Sequence, residues 1–357
     1  MNGERRQESE AENVTSSVPA QVIPLHGPRR ERAEAARGLG GDPRPGTGTA
    51  GAPAGEASVV ELPRPGDGTG RAVVSEPDPL PDAIGNALRF LRNRLTGDYT
   101  VDEFGFDPEL TDTLLLPPLR LLYEKWFRVS THGIENLPLE GGALLVCNHS
   151  GTVPLDSVMT ALAVHDEHPT NRHLRMLGAD LVFQLPLVGS LARKSGQTLA
   201  CNPDAERLLR SGELVGVWPE GFKGIGKPFS SRYKLQRFGR GGFVSAALRA
   251  GVPIVPCSIV GAEEIYPKIG EIKSLARLLG LPYFPVTPFF PLLGPLGAIP
   301  LPTKWHIDFG EPIRTDDVEP GAEDDPMLVF NLTDQVREAV QQSLYRRLAA
   351  RGGVFRG

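Results

Sequence analysis

No phenylalanine, tyrosine or tryptophan precedes Phe90 in this sequence. Residues 1–79 are instead rich in glycine, proline, alanine, glutamate and arginine. A segment of this composition cannot bury enough apolar surface to offset the entropy of ordering its backbone. We therefore predict a disordered tail over residues 1–79. The remaining chain is long enough for one sizeable domain, which we divide into a helical subregion (80–130) and an α/β domain (131–357).

Cysteine and net charge are also scarce. The three cysteines, Cys147, Cys201 and Cys257, are odd in number and far apart, which argues against a disulfide framework and for a reducing compartment. The net charge of −5 gives no overall sign of a nucleic-acid partner.

Long apolar runs suited to a membrane helix are missing. The N-terminus has no apolar core of a secretory signal, and no stretch reaches the roughly 20 helix-compatible apolar residues of a membrane span. The segment 281–302 is long and uncharged, but its seven prolines forbid a continuous helix. We expect it to lie on protein, as a buried meandering loop, or against a bilayer surface.

Three catalytic or nucleotide-binding signatures are absent. The pattern Gly-x-Ser-x-Gly does not occur, which disfavours a serine hydrolase. "GFKGIGKP" lacks the Gly-Lys-Ser/Thr ending of a P-loop. Cys147 lies inside an apolar strand, where a cysteine usually packs as a small hydrophobe, so a thiol mechanism is disfavoured.

Strand and helix patterns alternate from Gly142 onward, and the strands are continuous apolar runs. This pattern is typical of a mostly parallel sheet with helices on both faces. In such sheets, sites form at the carboxyl ends of strands. Two polar motifs follow predicted strands: Asn148-His149 and Pro219-Glu220-Gly221.

Helical patterns also flank this region. Residues 82–94 predict a helix, and residues 110–127 predict helical material that breaks at Pro117-Pro118. Residues 203–211 predict a helix with Asn202 as N-cap, and residues 328–348 a long amphipathic helix.

The stretch "VCNHSGTVPLD" places His149 seven residues before Asp156. A neutral imidazole can take a proton from a hydroxyl near neutral pH when a carboxylate fixes its ring. The same aspartate could instead complement the first turn of the helix that starts near Pro154. Taken alone, the pair favours the helix-terminal interpretation.

Six cations and no acid occur between Phe222 and Arg240, interleaved with glycine and aromatic residues. They are Lys223, Lys227, Arg232, Lys234, Arg237 and Arg240. This composition next to a strand end suits phosphate binding, although a solvated basic loop has the same appearance. RNA binding is disfavoured because the rest of the chain has no matching basic face.

The segment "HDEHPTNRH", with His165, Asp166, Glu167, His168 and His173, contains several metal-binding residue types. Its spacing matches no established zinc pattern. We therefore predict a polar loop here and no metal site.

Three blocks resemble the glycerolipid (lysophospholipid) acyltransferase superfamily. "CNHSGTVPLD" resembles its Asn-His…Asp motif, "VWPEG" its Phe-Pro-Glu-Gly motif, and "GVPIVPCSIVGAEE" its final apolar strand with Val-Pro. The blocks run in the family's order, from about residue 144 to residue 264, and cover the middle third of the chain.

The resemblance implies transfer of a fatty acyl group from acyl-CoA or acyl carrier protein to a glycerolipid hydroxyl, without a bound cofactor or an acyl-enzyme. His149 would be the general base and Asp156 its orienting carboxylate. The implied substrate-binding residues are Asn148, Ser150, Gly151, Pro219, Glu220, Gly221, Lys223, Lys227, Arg232 and Lys234. A peripheral or monotopic position at the cytoplasmic membrane face follows from the lipid substrate, with 281–302 as an acyl channel or interfacial foot. A lipid-binding protein without catalysis and a thioester hydrolase are the alternatives on the same fold.

The sequence departs from the family at two places. Six residues separate His149 from Asp156 instead of the usual four. The block that usually ends in a phosphate-binding arginine ends here in Cys201-Asn202, with Arg193 and Lys194 earlier. The second departure weakens the case for a phosphate-bearing acceptor. The blocks "RYKLQRFGRGGFVSAALRAGVPIVPCSIVGAEEIYP" and "LLGPLGAIPLPTKWHIDFGEPI" look most like the branch related to diacylglycerol acyltransferases, in which the His/Asp gap is also widened and the acceptor can be neutral.

Overall fold

The computed structural model describes residues 82–315, 317–319 and 321–356. The predicted tail, residues 1–79, lies outside the described residues. The α-helices of the described part are α1 Asp82–Thr96, α2 Pro108–Leu110, α3 Leu116–Leu121, α4 Leu155–Glu167, α5 Asp180–Gln184, α6 Val188–Lys194, α7 Asn202–Arg210, α8 Phe222–Ile225, α9 Gly242–Ala250, α10 Lys273–Leu278 and α11 Pro326–Ala350.

Nine strands accompany these helices within the described residues. They are β1 Ser130–His132, β2 Ala143–Cys147, β3 Leu174–Gly178, β4 Thr198–Leu199, β5 Leu214–Val217, β6 Ile254–Val260, β7 Gly270–Glu271, β8 Pro285–Val286 and β9 His306–Phe309. The predicted alternation of strands and helices after Gly142 is confirmed.

Seven of the strands form one sheet in the order β1-β9-β6-β2-β5-β3-β4. The five strands from β6 to β4 are parallel to one another, whereas β9 is antiparallel to β6 and β1 is parallel to β9. The predicted mostly parallel α/β sheet is confirmed. The reversed edge is an addition, because the strand pattern of β9 carries no sign of its direction.

Helices cover both faces of the sheet, and the alternation of side chains in β2 reaches both cores. Leu145 and Cys147 pack into the core that contains α4. Leu144 and Val146 pack into the opposite core with helices α7, α9 and α11. Burial on both faces explains why the strand reads as a continuous apolar run. It also places the end of β2 at the centre of the sheet.

The helical subregion is continuous where we predicted a break. Between α2 and α3 the helix widens into a π-helical turn, Thr111–Leu115, and a second such turn, Leu122–Trp126, follows α3. The prediction of a break was wrong because a π-helical turn lies just before the two prolines, and such a widened turn accommodates residues without an N–H inside a helix. Phe127 then anchors this subregion by stacking on Trp305 at a centroid distance of 4.5 Å.

The structure corrects one local prediction and confirms another. The N-cap of α7 is Cys201 rather than Asn202, which is the first helical residue and packs against Gly242. The segment 281–302 contains no continuous helix, as predicted, but only β8 and a 3-10 turn, Gly294–Ala298. Within the described residues, no helix combines the length and apolarity that a bilayer crossing requires.

Candidate active site

The loop after β2 is fixed to the neighbouring strand β6 by Asn148. The Asn148 side-chain oxygen accepts a hydrogen bond from the Ile259 N–H at 2.7 Å, and its amide donates to the Ile259 carbonyl at 3.1 Å. Asn148 is fully buried. Asn148, one of the residues predicted to bind substrate, therefore anchors the start of the loop that carries His149 to strand β6.

His149 and Asp156 form a dyad, which the sequence alone did not establish. The His149 Nδ1 atom lies 2.7 Å from Asp156 Oδ2. The same oxygen accepts from the Ser150 N–H at 2.8 Å, and Asp156 Oδ1 accepts from the Ser157 N–H at 2.9 Å. Because the carboxylate accepts at this contact, Nδ1 carries the hydrogen and Nε2 keeps its lone pair.

The first turn of α4 also contains Asp156, so the helix-terminal interpretation holds for the same residue. Its carboxylate is wholly buried, whereas 13% of the His149 side chain is exposed. A buried carboxylate behind a partly open imidazole is the arrangement that orients a general base. The two interpretations are therefore compatible.

A bulged loop accommodates the six residues between the dyad partners. Gly151 and Thr152 both have positive φ, +93° and +57°, which folds the chain back toward α4. A Cβ atom at Gly151 would lie 2.8 Å from the Ala262 carbonyl oxygen, so only glycine fits there. The Ser150 hydroxyl is buried without a hydrogen-bond partner in the described structure. The longer spacing therefore still delivers Asp156 to His149.

Glu220, at the end of the adjacent strand β5, holds the backbone of His149. Its Oε1 atom accepts from the His149 N–H at 2.8 Å, and Oε2 accepts from the Gln236 N–H at 2.6 Å. The side chain is fully buried. The family resemblance implied that Glu220 binds substrate, and it did not indicate this contact with the loop after β2.

Helix α8 packs tightly against the same loop through Gly224. A Cβ atom there would lie 2.7 Å from the Glu220 Cβ, 2.8 Å from the His149 carbonyl oxygen and 2.9 Å from the His149 Cβ. Gly221, with φ of +54°, is the N-cap of this helix, and Pro219, two residues before it, is half-buried. The sequence did not indicate the role of Gly224, because a close approach between a helix and a distant loop leaves no pattern in the sequence of either element.

Lys227 lies buried between two carboxylates. Its Nζ atom is 3.0 Å from Glu263 Oε1 and 3.4 Å from Glu220 Oε2. Glu263 also accepts from the Tyr233 N–H at 2.9 Å. Burial raises the pKa of Glu263 to about 7, against the opposing effect of Lys227. We predicted that Lys227 binds phosphate, but its ammonium group is already paired with carboxylates inside the protein.

The other predicted cations divide between two surface cavities. Lys223 lines a cavity of about 370 Å³ together with Tyr283, whose hydroxyl donates to the Thr152 carbonyl in the loop between β2 and α4. Arg232 and Lys234 line a different cavity, of about 270 Å³, beside the end of α11. The basic segment therefore does not form one cluster around His149.

Cys147 is positioned as predicted for a packing residue. It is fully buried and faces Cys257 across the β2–β6 pair. Burial, followed by the neighbouring thiol, raises the pKa of Cys147 well above its ordinary value. A thiol in this state is a poor nucleophile.

The family model described as "Acyltransferase" matches residues 128–260, which include both dyad residues and Glu220. A protein of Mycobacterium tuberculosis (strain ATCC 25618 / H37Rv), described as uncharacterized, is 52% identical over 357 residues, 97% of this chain and 99% of the relative. The chain belongs to the acyltransferase family. The resemblance that the three sequence blocks indicated is confirmed.

Other relatives of this acyltransferase-family chain have an activity in their names. A "1-acyl-sn-glycerol-3-phosphate acyltransferase" of Bacillus subtilis is 26% identical over 160 residues, 41% of this chain and 71% of the relative. A "DGAT1/2-independent enzyme synthesizing storage lipids" of Bos taurus is 23% identical over 232 residues, 64% of this chain and 63% of the relative.

A solved structure is also similar to this acyltransferase-family chain. The crystal structure of the 1-acyl-sn-glycerophosphate (LPA) acyltransferase PlsC from Thermotoga maritima matches with a TM-score of 0.44 and 18% identity. The match covers 76% of this chain and 98% of that one.

Proposed function

We propose that this protein transfers a fatty acyl group from an acyl thioester to a hydroxyl group of a glycerolipid acceptor. The observation that carries the proposal is the 2.7 Å contact between His149 Nδ1 and the buried Asp156, at the end of the central strand β2. Family membership supports a lipid acyltransferase. The dyad supplies the general base that such a reaction needs.

In the proposed reaction, His149 Nε2 takes the hydroxyl proton while the acceptor oxygen attacks the thioester carbonyl carbon. Asp156 keeps the ring oriented and stabilises the imidazolium that forms. The tetrahedral intermediate then collapses: the new C–O bond remains, the C–S bond breaks, and the imidazolium returns its proton to the departing sulfur. No acyl-enzyme forms, which agrees with the inert state of Cys147.

The acyl donor, acyl-CoA or acyl carrier protein, and the acceptor are proposed as classes. The candidate acceptors are lysophospholipid, glycerol phosphate and diacylglycerol. A phosphorylated acceptor agrees with the name of the B. subtilis relative, and a neutral one with that of the B. taurus relative. Exposed Lys223, in the cavity beside Tyr283, is the cation we propose for a phosphate of donor or acceptor.

We also propose that the protein works at a membrane surface, on its cytoplasmic face. In the segment 281–302, Leu292 is 83% exposed and Leu296 is 69% exposed. These side chains are incompatible with a fully buried loop and suit an interfacial foot. Tyr283 links the same segment to the loop between β2 and α4, which carries His149.

The test combines mixed acyl-CoAs with lysophosphatidate, glycerol 3-phosphate or diacylglycerol, and measures thiol release together with lipid products by mass spectrometry. Wild-type protein is expected to form an acylated product with one acceptor class. Both His149→Ala and Asp156→Asn should lower kcat by about 10²- to 10⁴-fold. His149→Ala should keep a melting temperature close to the wild-type value, whereas Asp156→Asn should lower it, because the buried amide cannot accept all three hydrogen bonds.

His132→Ala is the matched control, because His132 is exposed on the edge strand β1, three strands away from β2. It should keep full activity. Wild-type turnover retained in His149→Ala would refute the general-base mechanism. Free fatty acid without an acceptor would indicate the hydrolase, and lipid binding without thiol release the non-catalytic alternative.

A further inference from the structure

Three potential metal ligands converge on the helical side of the molecule, outside the dyad. Asp112 comes from the π-helical turn after α2, His165 from the last turn of α4, and His173 from the residue before β3. Asp112 Oδ1 lies 2.8 Å from His173 Nε2 and 3.5 Å from His165 Nε2. One ligand atom from each residue lies within 4.8 Å of the others.

The ring of His165 is oriented for metal binding by a fixed carboxylate. Its Nδ1 atom lies 2.8 Å from Asp166 Oδ1. Arg120 holds that carboxylate with two hydrogen bonds, of 2.7 and 2.8 Å. With Nδ1 donating to Asp166, the Nε2 lone pair points toward Asp112. Metal-binding histidines commonly have such a carboxylate behind the ring.

The second histidine is also restrained. The His173 ring lies edge-on to Phe106 at a centroid distance of 5.0 Å, and 4.9 Å from the His165 ring. Its Nε2 atom faces the same Asp112 oxygen. Arg120, which interacts electrostatically with Asp112, is itself paired with Asp166, so the cluster presents the negative charge of Asp112 to a bound ion.

The distances fit a small divalent cation. With Zn–N and Zn–O bonds of about 2.0–2.2 Å, adjacent ligands of a tetrahedral site lie roughly 3.3–3.6 Å apart. The 3.5 Å separation already lies in this range, and the 2.8 Å contact has to open by about 0.5–0.8 Å. Two imidazoles and one carboxylate select Zn²⁺ over Mg²⁺ or Ca²⁺, which prefer oxygen ligands. The side chains are 13–42% exposed, which leaves a fourth position open to water.

We propose that Asp112, His165 and His173 bind a Zn²⁺ ion that clamps the helical subregion to α4 and β3. This site lies beyond the proposed acyl transfer and takes no part in it. It departs from our expectation of a polar loop without a metal site around residues 165–173. That expectation considered the local spacing alone, whereas the third ligand precedes His165 by 53 residues. A metal at this junction stabilises the folded state because the unfolded chain does not preassemble the ligands.

The experiment uses the full chain without a polyhistidine tag. Protein stripped with a chelator is titrated with ZnCl₂ by calorimetry, and its zinc content after dialysis is measured by mass spectrometry. We expect about one Zn²⁺ per chain and a melting temperature that rises with added Zn²⁺. Asp112→Asn and His173→Gln should each lose most of the bound zinc and the thermal shift. Their melting temperatures in chelator should remain close to that of stripped wild type, which excludes misfolding.

His132→Gln is the matched control, because His132 stacks on His306 at 6.0 Å but is not part of the ligand cluster. It should bind zinc as the wild type does. Absence of saturable zinc binding in stripped wild type would overturn the proposal and leave a hydrogen-bonded His/Asp cluster. Equal zinc content in wild type, Asp112→Asn and His173→Gln would also overturn it.

Discussion

His149 is held by contacts from three directions. Asp156 fixes the ring, Glu220 binds the backbone N–H, and Gly224 packs against the backbone from the side. Each contact comes from a different element, so three independent restraints fix the position of the imidazole. Such restraint is what a general base needs, because proton transfer depends on distance and ring orientation.

Glu263, the buried partner of Lys227, makes the stability of the folded protein depend on pH. Burial raises its pKa from the ordinary 4.5 to about 7. Between these values the folded protein binds more protons than the unfolded chain. The stability contributed by protonated Glu263 is therefore fully present below about pH 4.5 and is lost as pH rises through 7. The shift corresponds to about 3 kcal/mol.

Replacement of this carboxyl should flatten the pH dependence of folding. From about pH 5 to pH 8, the free energy of unfolding of the wild type should fall by about 2–3 kcal/mol relative to that of Glu263→Gln. Urea denaturation across this range measures the difference. Glu311→Gln, at an exposed glutamate, should follow the wild type. Parallel pH profiles for wild type and Glu263→Gln would contradict the buried titration.

Helix α8 has only four residues, and its packing depends on one missing side chain. In Gly224→Ala, the new methyl group would enter space occupied by Glu220 and His149. We expect a stability loss of about 1–3 kcal/mol and an activity loss of about 10-fold or more, because the imidazole shifts. Thermal melts and the thiol-release assay measure the two effects.

Gly85→Ala is the corresponding control, because a Cβ atom at Gly85 in α1 meets nothing within 4 Å. It should preserve activity and raise stability by about 0.5–1 kcal/mol, since alanine is the better helix former. Unchanged activity in Gly224→Ala would show that α8 does not position His149.

For the molecule as a whole, the exposed apolar side chains of the 281–302 segment predict where a bilayer binds. The double substitution Leu292→Asp/Leu296→Asp should weaken binding to anionic phospholipid vesicles by at least about tenfold, because each leucine loses the free energy of burial in lipid. Vesicle co-sedimentation measures the change. Met327→Asp, at a residue 66% exposed in the first turn of α11, should bind as the wild type does. Equal binding of both variants would reject this surface.

Local patterns were sufficient for much of this protein. Apolar runs, glycine turns and helical spacing predicted the strands β2, β3, β5 and β6 and the helices between them. They also predicted that polar motifs would stand at strand ends. These features depend on neighbouring residues, because backbone hydrogen bonding and side-chain periodicity repeat over a few positions. The inert state of Cys147 followed from the same reasoning.

Contacts between distant residues required the folded chain. The antiparallel direction of β9, the clamp of Glu220 on His149, the burial of Lys227 and the approach of Asp112 to His165 and His173 left no local pattern. Each joins elements whose relative position is set by the packing of two cores against one sheet. The motif around His149 therefore identified the candidate base from the sequence alone. Only tertiary packing decided how Asp156 is placed against it, because a carboxylate orients an imidazole only at a short distance that the whole fold maintains.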